Sequence, residues 1–351
     1  MLPRETTRKI SIGSITIGGQ NRVLIQSMCN IKTENVAAVV AQINRAHKLG
    51  ADLMRVSVLD EADAKAIAEI KKHISIPLVA DIHFDYHLAI LAIENGVDKI
   101  RLNPGNIGSE DKILAVIKAC KLHHVPIRIG VNSGSLDKDI ANDQSLSSAQ
   151  KLVRSAQKHV SILEKYEFYD IVISLKGSNV LETIEAYNQA QKVFPYPLHL
   201  GITEAGPKDI GLIRSAAGLA PLLISGIGDT IRISLSDEPE EEVLAAKRLL
   251  HDLDLYKNYP TIISCPTCGR TQVDVVPMAK RVLQYLEDRQ LNLKVAVMGC
   301  VVNGPGEAKH ADYGMAGGNG IWVLFKKGQV IKTVKNEEGF DSLVAEIEKD
   351  I

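Results

Sequence analysis

The amino-acid sequence predicts an α/β protein: a TIM-type (β/α)8 barrel followed by a small α+β domain. Three observations lead to this prediction. Short β-branched runs alternate with amphipathic helical segments, eight such pairs occur, and the alternation stops near residue 252. A length of 351 residues fits about two domains. Aromatic residues make up only 4% of the chain, so the core depends on aliphatic side chains, which suits parallel strands buried on both faces.

The predicted elements begin with a hairpin. Residues 9–19, KISIGSITIGG, alternate polar and apolar side chains around a Gly-Ser turn. Eight strands are then predicted, at 22–28, 52–58, 77–84, 97–103, 126–132, 169–176, 197–204 and 229–236. The segments between them repeat apolar residues at three- and four-residue steps, which predicts amphipathic helices. Several of these end at a glycine or meet a proline at the next strand, as at Gly50, Pro77 and Pro126.

The strand count favours a closed barrel over an open sheet. Eight βα units in about 230 residues match a TIM barrel in number and size. The alternative is a doubly wound sheet, which needs a switch point and usually has a glycine-rich first turn. The first turn here, QSMCNIKTEN (26–35), contains no glycine.

A second domain is predicted after the barrel, with boundaries at 1–252 and 253–351. A connector, DLDLYKNYPTII (252–263), precedes the CPTCGR motif. There follow a predicted helix at 277–290, a strand at 293–300, a glycine-rich loop, a strand pair around the Lys-Lys-Gly turn of 321–334, and a final helix at 340–351.

Composition limits the function classes. A net charge of −1 gives no overall attraction to nucleic acid or to an anionic membrane. No apolar run is long enough to cross a bilayer, and the N-terminal segment lacks the apolar stretch of a secretory signal. We therefore expect a cytoplasmic protein with neither nucleic acid nor membrane as partner. Five cysteines, an odd number, favour metal or redox chemistry over a disulfide framework.

Polar side chains mark the ends of the predicted barrel strands, where TIM-barrel enzymes carry their catalytic groups. They are Arg55, Ser57, Asp81, His83, Arg101, Asn103, Arg128, Asn132, Lys176, Thr203, Glu204, Arg232 and Ser234. Several lie two residues apart and so share a face of their strand, which directs them to the lumen or its rim.

Four arginines and a lysine in this set require a counter-charge. Buried like charges repel unless an anion neutralises them, and the planar guanidinium fork suits the oxygens of a phosphate or diphosphate. The alternative is that each arginine pairs with a structural carboxylate or lies on the outer face. Asp81, His83 and Glu204 are the acid–base groups of the same rim and the candidates for a proton donor.

Three cysteines form a second group of candidate functional residues. Cys265 and Cys268 are separated by two residues, Cys300 follows after a long gap, and Glu307 lies in the NGPGE segment behind it. Three thiolates with an exchangeable oxygen ligand suit a [4Fe–4S] cluster that has one open iron, whereas structural zinc usually takes four Cys or His ligands. Two alternatives stay open: a zinc site completed by a histidine such as His310, and free thiols. We expect Cys120 to be a core residue, and Cys29 to have a packing role.

Taken together, these motifs closely resemble the 4-hydroxy-3-methylbut-2-enyl diphosphate synthase family. The matching stretches are QSM (26–28), RVSV (55–58), PLVADIHFDY (77–86), RLNPGNIG (101–108), PIRIGVNSGSL (126–136), LHLGITEAG (198–206), GIGDTIRISLS (226–236), CPTCGR (265–270) and GCVVNGPGEA (299–308). The resemblance implies a TIM barrel followed by a domain similar to sulfite-reductase cluster domains. It also implies reductive opening of 2-C-methyl-D-erythritol 2,4-cyclodiphosphate to the allylic diphosphate, a step of isoprenoid biosynthesis by the methylerythritol phosphate route.

The resemblance also implies roles for single residues. Cys265, Cys268, Cys300 and Glu307 would hold the [4Fe–4S] cluster, and the Glu307 carboxylate would leave when a substrate oxygen binds the unique iron. Glu204 would protonate the departing hydroxyl. The implied diphosphate cradle comprises Arg55, Arg101, Arg128, Asn132, Lys176, Arg232 and Ser234, with His83 nearby and Asn303 beside the cluster.

The family further implies partners. Reduced flavodoxin or ferredoxin would supply electrons, and two copies of the chain would form a homodimer in which the cluster domain of one subunit caps the barrel of the other. Two other hypotheses stay open on the residues alone: a redox-silent barrel enzyme that acts on phosphates and carries a structural zinc domain, and a non-enzymatic iron–sulfur carrier or sensor.

Overall fold

The computed structural model describes residues 2–177, 179–300 and 308–351, and it divides into two compact units. The first comprises Met1–Tyr256 and the second Lys257–Ile351. Each unit has a hydrophobic core of its own, which is the usual mark of a domain.

The first unit is a parallel barrel preceded by a hairpin. The hairpin strands are β1 (Ile10–Ile12) and β2 (Ile15–Ile17). The barrel strands are β3 (Leu24–Met28), β4 (Leu53–Ser57), β5 (Leu78–Asp81), β6 (Lys99–Arg101), β7 (Ile127–Asn132), β8 (Ile171–Lys176), β9 (His199–Leu200) and β10 (Thr230–Ile231). They pair in the order β8-β7-β6-β5-β4-β3-β10-β9. A bridge between Ile173 and Leu198 joins β8 to the segment before β9 and so closes the ring.

Helices surround this barrel. They are α1 (Val36–Leu49), α2 (Glu61–Lys72), α3 (Tyr86–Glu94), α4 (Pro104–Ile107), α5 (Glu110–His123), α6 (Lys138–Asn142), α7 (Ser148–Lys165), α8 (Val180–Val193), α9 (Lys208–Ile224) and α10 (Pro239–Asp252). Local sequence fixes many of their ends. Asp60 accepts the Asp63 N–H at 3.0 Å at the start of α2, Ser147 and Gln150 form a capping box on α7, and Gly50 ends α1 at φ 116°.

The hairpin packs on the barrel at the end opposite the carboxyl ends of the strands. Ile10, Ile12 and Ile17 form one apolar cluster with Leu24, Leu53, Val79 and Val172, which lie in the amino-terminal half of their strands. Burying these side chains stabilises that end by roughly 2 kcal/mol for each large aliphatic group. The carboxyl ends of the strands remain the open face.

The predicted (β/α)8 barrel is confirmed, and all eight predicted strands are present. Two of them, β9 and β10, form regular pairs over only two residues, although eight were predicted for each. Their remaining residues continue into the loops of the open face, where side chains turn towards the lumen. None of the described helices has the length and apolar character needed to cross a membrane.

The described residues of the second unit form a five-stranded sheet with two α-helices. Its elements are β11 (Thr261–Ser264), α11 (Val275–Asp288), β12 (Lys294–Met298), β13 (Tyr313–Gly318), β14 (Ile321–Lys326), β15 (Gln329–Lys335) and α12 (Gly339–Glu348). The sheet order is β11-β12-β13-β14-β15, with the first three strands parallel and the last three antiparallel. Trp322, Val282, Leu286 and Leu343 belong to its core.

Two predictions for this unit were wrong. Residues 261–263 were assigned to a connector but form β11, and 313–318 were assigned to a glycine-rich loop but form β13, all of whose residues are buried. The glycines of β13 permit close packing, because a Cβ on Gly317 would lie 2.1 Å from a methyl carbon of Val273. Pairing with β12 therefore outweighs the low strand propensity of glycine.

Candidate active site

A polar cavity of about 300 Å³ opens at the carboxyl ends of the barrel strands. It brings together residues from β4, β5, β6, β7 and β8 and from the loops after β5, β9 and β10. The lining residues are Arg55, Asp81, His83, Arg101, Arg128, Gly130, Asn132, Ser174, Lys176, Thr203, Glu204, Arg232 and Ser234. All the barrel residues that sequence reasoning selected for acid–base chemistry or for the diphosphate cradle are in this set.

The parallel register places three of these charges side by side. Asp81 on β5 is level with Arg101 on β6, which is level with Arg128 on β7. Gly130 makes room for them, because a Cβ there would lie 2.6 Å from Arg101 Nε. Its carbonyl accepts N–H groups from Arg101 Nη2 at 3.1 Å and from Asn103 Nδ2 at 2.8 Å. The backbone of β7 therefore fixes the direction of the Arg101 side chain.

Asp81 is the counter-charge for two of the arginines. Its carboxylate lies 3.6 Å from Arg55 Nε and 3.3 Å from Arg101 Nη1. Burial raises the pKa of Asp81, but the opposing field of Arg55, Arg101 and Arg128 outweighs burial and brings it to about 2. Burial also lowers the pKa of Arg55 to about 10, which still leaves it charged at neutral pH. The ion pairs with Arg55 and Arg101 favour a role for Asp81 in holding these arginines, and the proton-donor role expected from the sequence stays a prediction.

Arg232 is held by a carboxylate that sequence analysis missed. Glu242, on α10, is 3% exposed and accepts Arg232 Nε at 3.0 Å and Nη2 at 2.9 Å. The same carboxylate accepts the Ser27 hydroxyl at 2.7 Å and the Leu235 N–H at 3.1 Å. Its four donors satisfy both oxygens, as a buried carboxylate requires. The helical periodicity of α10 was a signal that could have revealed Glu242, because it shares the buried face with Val243, Ala246 and Leu250, whereas Glu240 and Glu241 lie off that face.

Positive charge still exceeds negative charge in the cavity. Five cationic side chains line it, against the carboxylates of Asp81, Glu204 and the supporting Glu242. Arg128 is 1% exposed, and its Nε and Nη2 have no hydrogen-bond partner in the described part of the chain. Burial and the neighbouring arginines hold the pKa of Arg128 and Lys176 well below their usual ranges. Such a site stabilises an anion whose oxygens accept these N–H groups.

A further buried cation was missed. Lys99 lies two residues before Arg101 on β6, is fully buried, and donates to Gln26 Oε1 at 3.3 Å. Burial, with the fields of Arg128 and Arg55, holds the pKa of Lys99 well below its usual range. The alternation Lys99, Arg101, Asn103 in VDKIRLN was a signal that could have revealed it.

Glu204 is the exposed carboxylate of the cavity. It follows β9 and has a φ of 51°, the left-handed region that is costly for a residue with a side chain. Backbone strain of this kind is concentrated at functional sites, where it directs a side chain. His83 is likewise exposed at the cavity, and Ser234 Oγ is buried without a hydrogen-bond partner among the described residues.

The three clustered cysteines lie in the second unit. Cys265 follows β11, and Cys300 lies two residues beyond β12. These strands are parallel neighbours, so their carboxyl ends share one edge of the sheet. The Gly299 N–H donates to Cys265 Sγ at 3.1 Å, a contact typical of cluster-bound thiolates. Cys268 is exposed, and N–H donation from the Arg270 backbone is the main cause that lowers its pKa. All three features suit a soft metal centre.

The structure does not assemble a complete ligand set. Within residues 2–177, 179–300 and 308–351, no group of three or more His, Cys, Asp or Glu side chains is arranged around a common metal position. Asn303 and Glu307 lie outside the described residues. His310, the alternative fourth ligand, is exposed. Cys29 and Cys120 are buried in the barrel core, where burial raises the pKa of Cys29 to about 12.

Comparison with known proteins identifies the family. The GcpE TIM-barrel domain matches residues 7–247, and the GcpE protein C-terminal domain matches residues 261–349. The chain belongs to the GcpE family. The resemblance seen in the sequence motifs is thereby confirmed.

Full-length relatives support the assignment to the GcpE family. A protein of Caldanaerobacter subterraneus subsp. tengcongensis is 56% identical over 346 residues, covering 99% of this chain and 98% of the relative. One of Fusobacterium nucleatum is 50% identical over 345 residues, covering 98% of each chain. Both are named 4-hydroxy-3-methylbut-2-en-1-yl diphosphate synthase (flavodoxin).

Solved structures similar to this GcpE chain show its fold alone. Dihydropteroate synthase from Stenotrophomonas maltophilia matches with a TM-score of 0.54 at 15% identity, covering 71% of this chain and 97% of that one. The enzyme from Vibrio fischeri matches with a TM-score of 0.51 at 13% identity, covering 70% and 98%. Shared architecture at such identities carries no information about the reaction.

Proposed function

We infer that this GcpE chain reductively converts 2-C-methyl-D-erythritol 2,4-cyclodiphosphate to 4-hydroxy-3-methylbut-2-enyl diphosphate in isoprenoid biosynthesis. Two electrons enter, a ring C–O(P) bond breaks, and a hydroxyl leaves as water. The observation that carries the inference is the cationic cavity, lined by four arginines and a lysine, in a chain 50–56% identical over its length to enzymes named for that product.

The cavity residues bind and orient the substrate. We propose that the diphosphate lies on Arg55, Arg101, Arg128, Lys176 and Arg232, with Asn132 and Ser234 donating to its oxygens. The excess of positive charge supports this, because a diphosphate supplies acceptors for Arg128 Nε and Nη2, which have no partner among the described residues. Fixing the diphosphate also orients the reacting ring, since both phosphates are part of it.

Glu204 is the proposed proton donor to the departing hydroxyl. Its carboxyl group is exposed at the cavity and has no ion pair among the described residues, whereas both carboxylate oxygens of Asp81 are paired with Arg55 and Arg101. The left-handed backbone at Glu204 directs its side chain. We propose that His83 also lies beside the substrate and makes a polar contact with it, in addition to the contact made by Glu204.

The proposed cofactor is a [4Fe–4S] cluster bound by Cys265, Cys268, Cys300 and Glu307, with Asn303 beside it. The N–H···S contact to Cys265 and the shared strand edge of Cys265 and Cys300 support a cluster in this unit. When bound, such a cluster supplies low-potential electrons for the reduction. With three thiol ligands and one carboxylate ligand, one of the four irons would have no sulfur ligand from the protein.

The names of the relatives specify flavodoxin, which supports an electron donor of that type. The other partners and the location are those that the family resemblance implies. We propose reduced flavodoxin or ferredoxin as electron donor, a cytoplasmic location, and a homodimer in which each active site combines the barrel of one subunit with the cluster domain of the other.

Anaerobic purification tests the cofactor and the reaction. The expected protein is brown, contains iron and sulfide at about four of each per chain if one [4Fe–4S] cluster is bound, and turns over the cyclic diphosphate only with a low-potential reductant. A colourless protein that contains zinc would favour the redox-silent barrel enzyme. A cluster-containing protein that binds neither the cyclic diphosphate nor inorganic pyrophosphate would favour an electron carrier.

Subunit mixing tests the shared active site. Glu204→Gln disables the barrel and Cys265→Ser disables the cluster domain, so each homodimer is expected to be inactive. Co-expressed heterodimers should regain activity, because one composite site unites an intact barrel with an intact cluster domain. If each subunit worked alone, both halves of the heterodimer would be inactive and no activity would return.

A further inference from the structure

Met28, the last residue of β3, contacts two of the cavity arginines through its sulfur. Its Sδ accepts N–H groups from Arg55 Nε at 3.1 Å and Nη2 at 2.8 Å, and from Arg232 Nη1 at 3.5 Å. A thioether is a weak acceptor with no charge, so these contacts orient both guanidinium groups without neutralising either.

The sheet order explains why one residue reaches both arginines. β3 lies between β4, which carries Arg55, and β10, which Arg232 follows. Met28 thereby joins two separate ion pairs into one chain of contacts. That chain runs from Asp81 through Arg55, Met28 and Arg232 to Glu242. Met28 is the only uncharged member of these five side chains.

We propose that Met28 is a positioning residue for the diphosphate, a neutral acceptor that fixes the directions of Arg55 and Arg232 while their charge remains for the substrate. The proposal rests on the proposed function. A carboxylate in its place would neutralise one arginine, and an aliphatic side chain would leave two like charges with no acceptor between them.

Three substitutions at Met28 distinguish the contributions of its hydrogen-bond acceptor, its lack of charge and its shape to pyrophosphate binding. Met28→Leu keeps the volume and removes the acceptor, Met28→Gln restores a neutral acceptor, and Met28→Glu adds a charged one. Met278→Leu on α11 is the matched control, since Met278 is also partly buried but packs against apolar residues of the second unit. The probe is inorganic pyrophosphate, titrated calorimetrically into anaerobic holoenzyme.

We expect the pyrophosphate Kd to rise about fivefold in Met28→Leu, because the substitution removes the weak acceptor that orients two guanidinium groups. It should return to within about twofold of wild type in Met28→Gln, and rise more than tenfold in Met28→Glu, because the carboxylate competes with the ligand. In turnover of the cyclic diphosphate, Met28→Leu should raise KM and leave kcat within about twofold of wild type. This pattern is expected when a substitution weakens substrate binding without affecting the chemical step.

Wild-type affinity in Met28→Leu would overturn the proposal, and so would equal weakening by Leu and Gln, which would assign the effect to shape. Both results leave the proposed function intact. Absence of pyrophosphate binding by the wild-type enzyme would overturn the diphosphate assignment and this proposal together.

Discussion

Replacing Asp81 with Asn tests the electrostatic account of the cavity. The carboxylate is buried between Arg55 and Arg101, and its pKa falls from an ordinary 3.8 to about 2. That fall corresponds to roughly 2.5 kcal/mol of preference for the charged form in the folded state. We expect Asp81→Asn to lower the free energy of unfolding of the barrel by about 2 kcal/mol and its Tm by about 5 °C.

The pH dependence has a definite sign. A carboxylate whose folded pKa is depressed contributes stability above its unfolded pKa and loses that contribution as pH falls through the folded value. The difference between wild type and Asp81→Asn should therefore stay nearly constant from pH 8 to about 5. It should narrow only below about pH 4, towards the folded pKa of about 2.

Pyrophosphate provides the decisive comparison. When Asp81 is replaced, the pyrophosphate oxygens become the main counter-charge for Arg55 and Arg101. Pyrophosphate should therefore raise the Tm of Asp81→Asn more than the Tm of wild type. Asp63→Asn is the matched control, because Asp63 is also buried but accepts backbone N–H groups from Glu34 at 2.9 Å and Leu59 at 3.0 Å. Differential scanning fluorimetry measures the Tm of wild type and of both variants, with and without pyrophosphate. Equal stabilisation of the three by pyrophosphate would refute the reasoning.

The remaining predictions concern catalysis and thiol reactivity. Glu204→Gln should abolish product formation while the cluster absorbance persists, since only the transferable proton is lost; normal turnover would remove Glu204 from the acid role. Glu307→Ala should reduce iron content and activity together, measured by metal analysis and assay, and full activity would remove Glu307 from the ligand set. In iron-free protein at pH 7.5, iodoacetamide should label Cys268 first, because its pKa is lowered and it is exposed. Cys29 and Cys120 should stay unlabelled until unfolding, because burial raises the pKa of both thiols; early labelling of either, seen by mass spectrometry, would contradict their burial.

Local patterns in the sequence were sufficient for the barrel and most of its site. Strand alternation places Arg101 and Asn103 on one face of their strand, and likewise Arg128 and Asn132, because side chains alternate with a two-residue period. That this face is the lumen, with the outer face as the alternative, was decided by the structure. Parallel strands end at a common edge, so the last residues of each predicted strand are also the residues predicted to line the cavity.

The second unit was harder to predict because its signals are not local. β13 contains three glycines and has little strand propensity, and it becomes a strand by pairing with β12 on one side and β14 on the other. β11 is short and follows a proline, and it is defined by its parallel partner β12.

The sequence by itself determined the fold class, the collection of cations at one barrel end, and the clustered cysteines, since each follows from periodicity or spacing along the chain. Only the tertiary structure decided how the charges are compensated. It made Asp81 an anion between two arginines, selected Glu242 rather than its neighbours to hold Arg232, buried Lys99 beneath the cavity, and set Met28 between two guanidinium groups. The reason is physical: charge compensation depends on distances of about 3–4 Å between side chains on different strands and helices, and the spacing of residues along the chain does not record those distances.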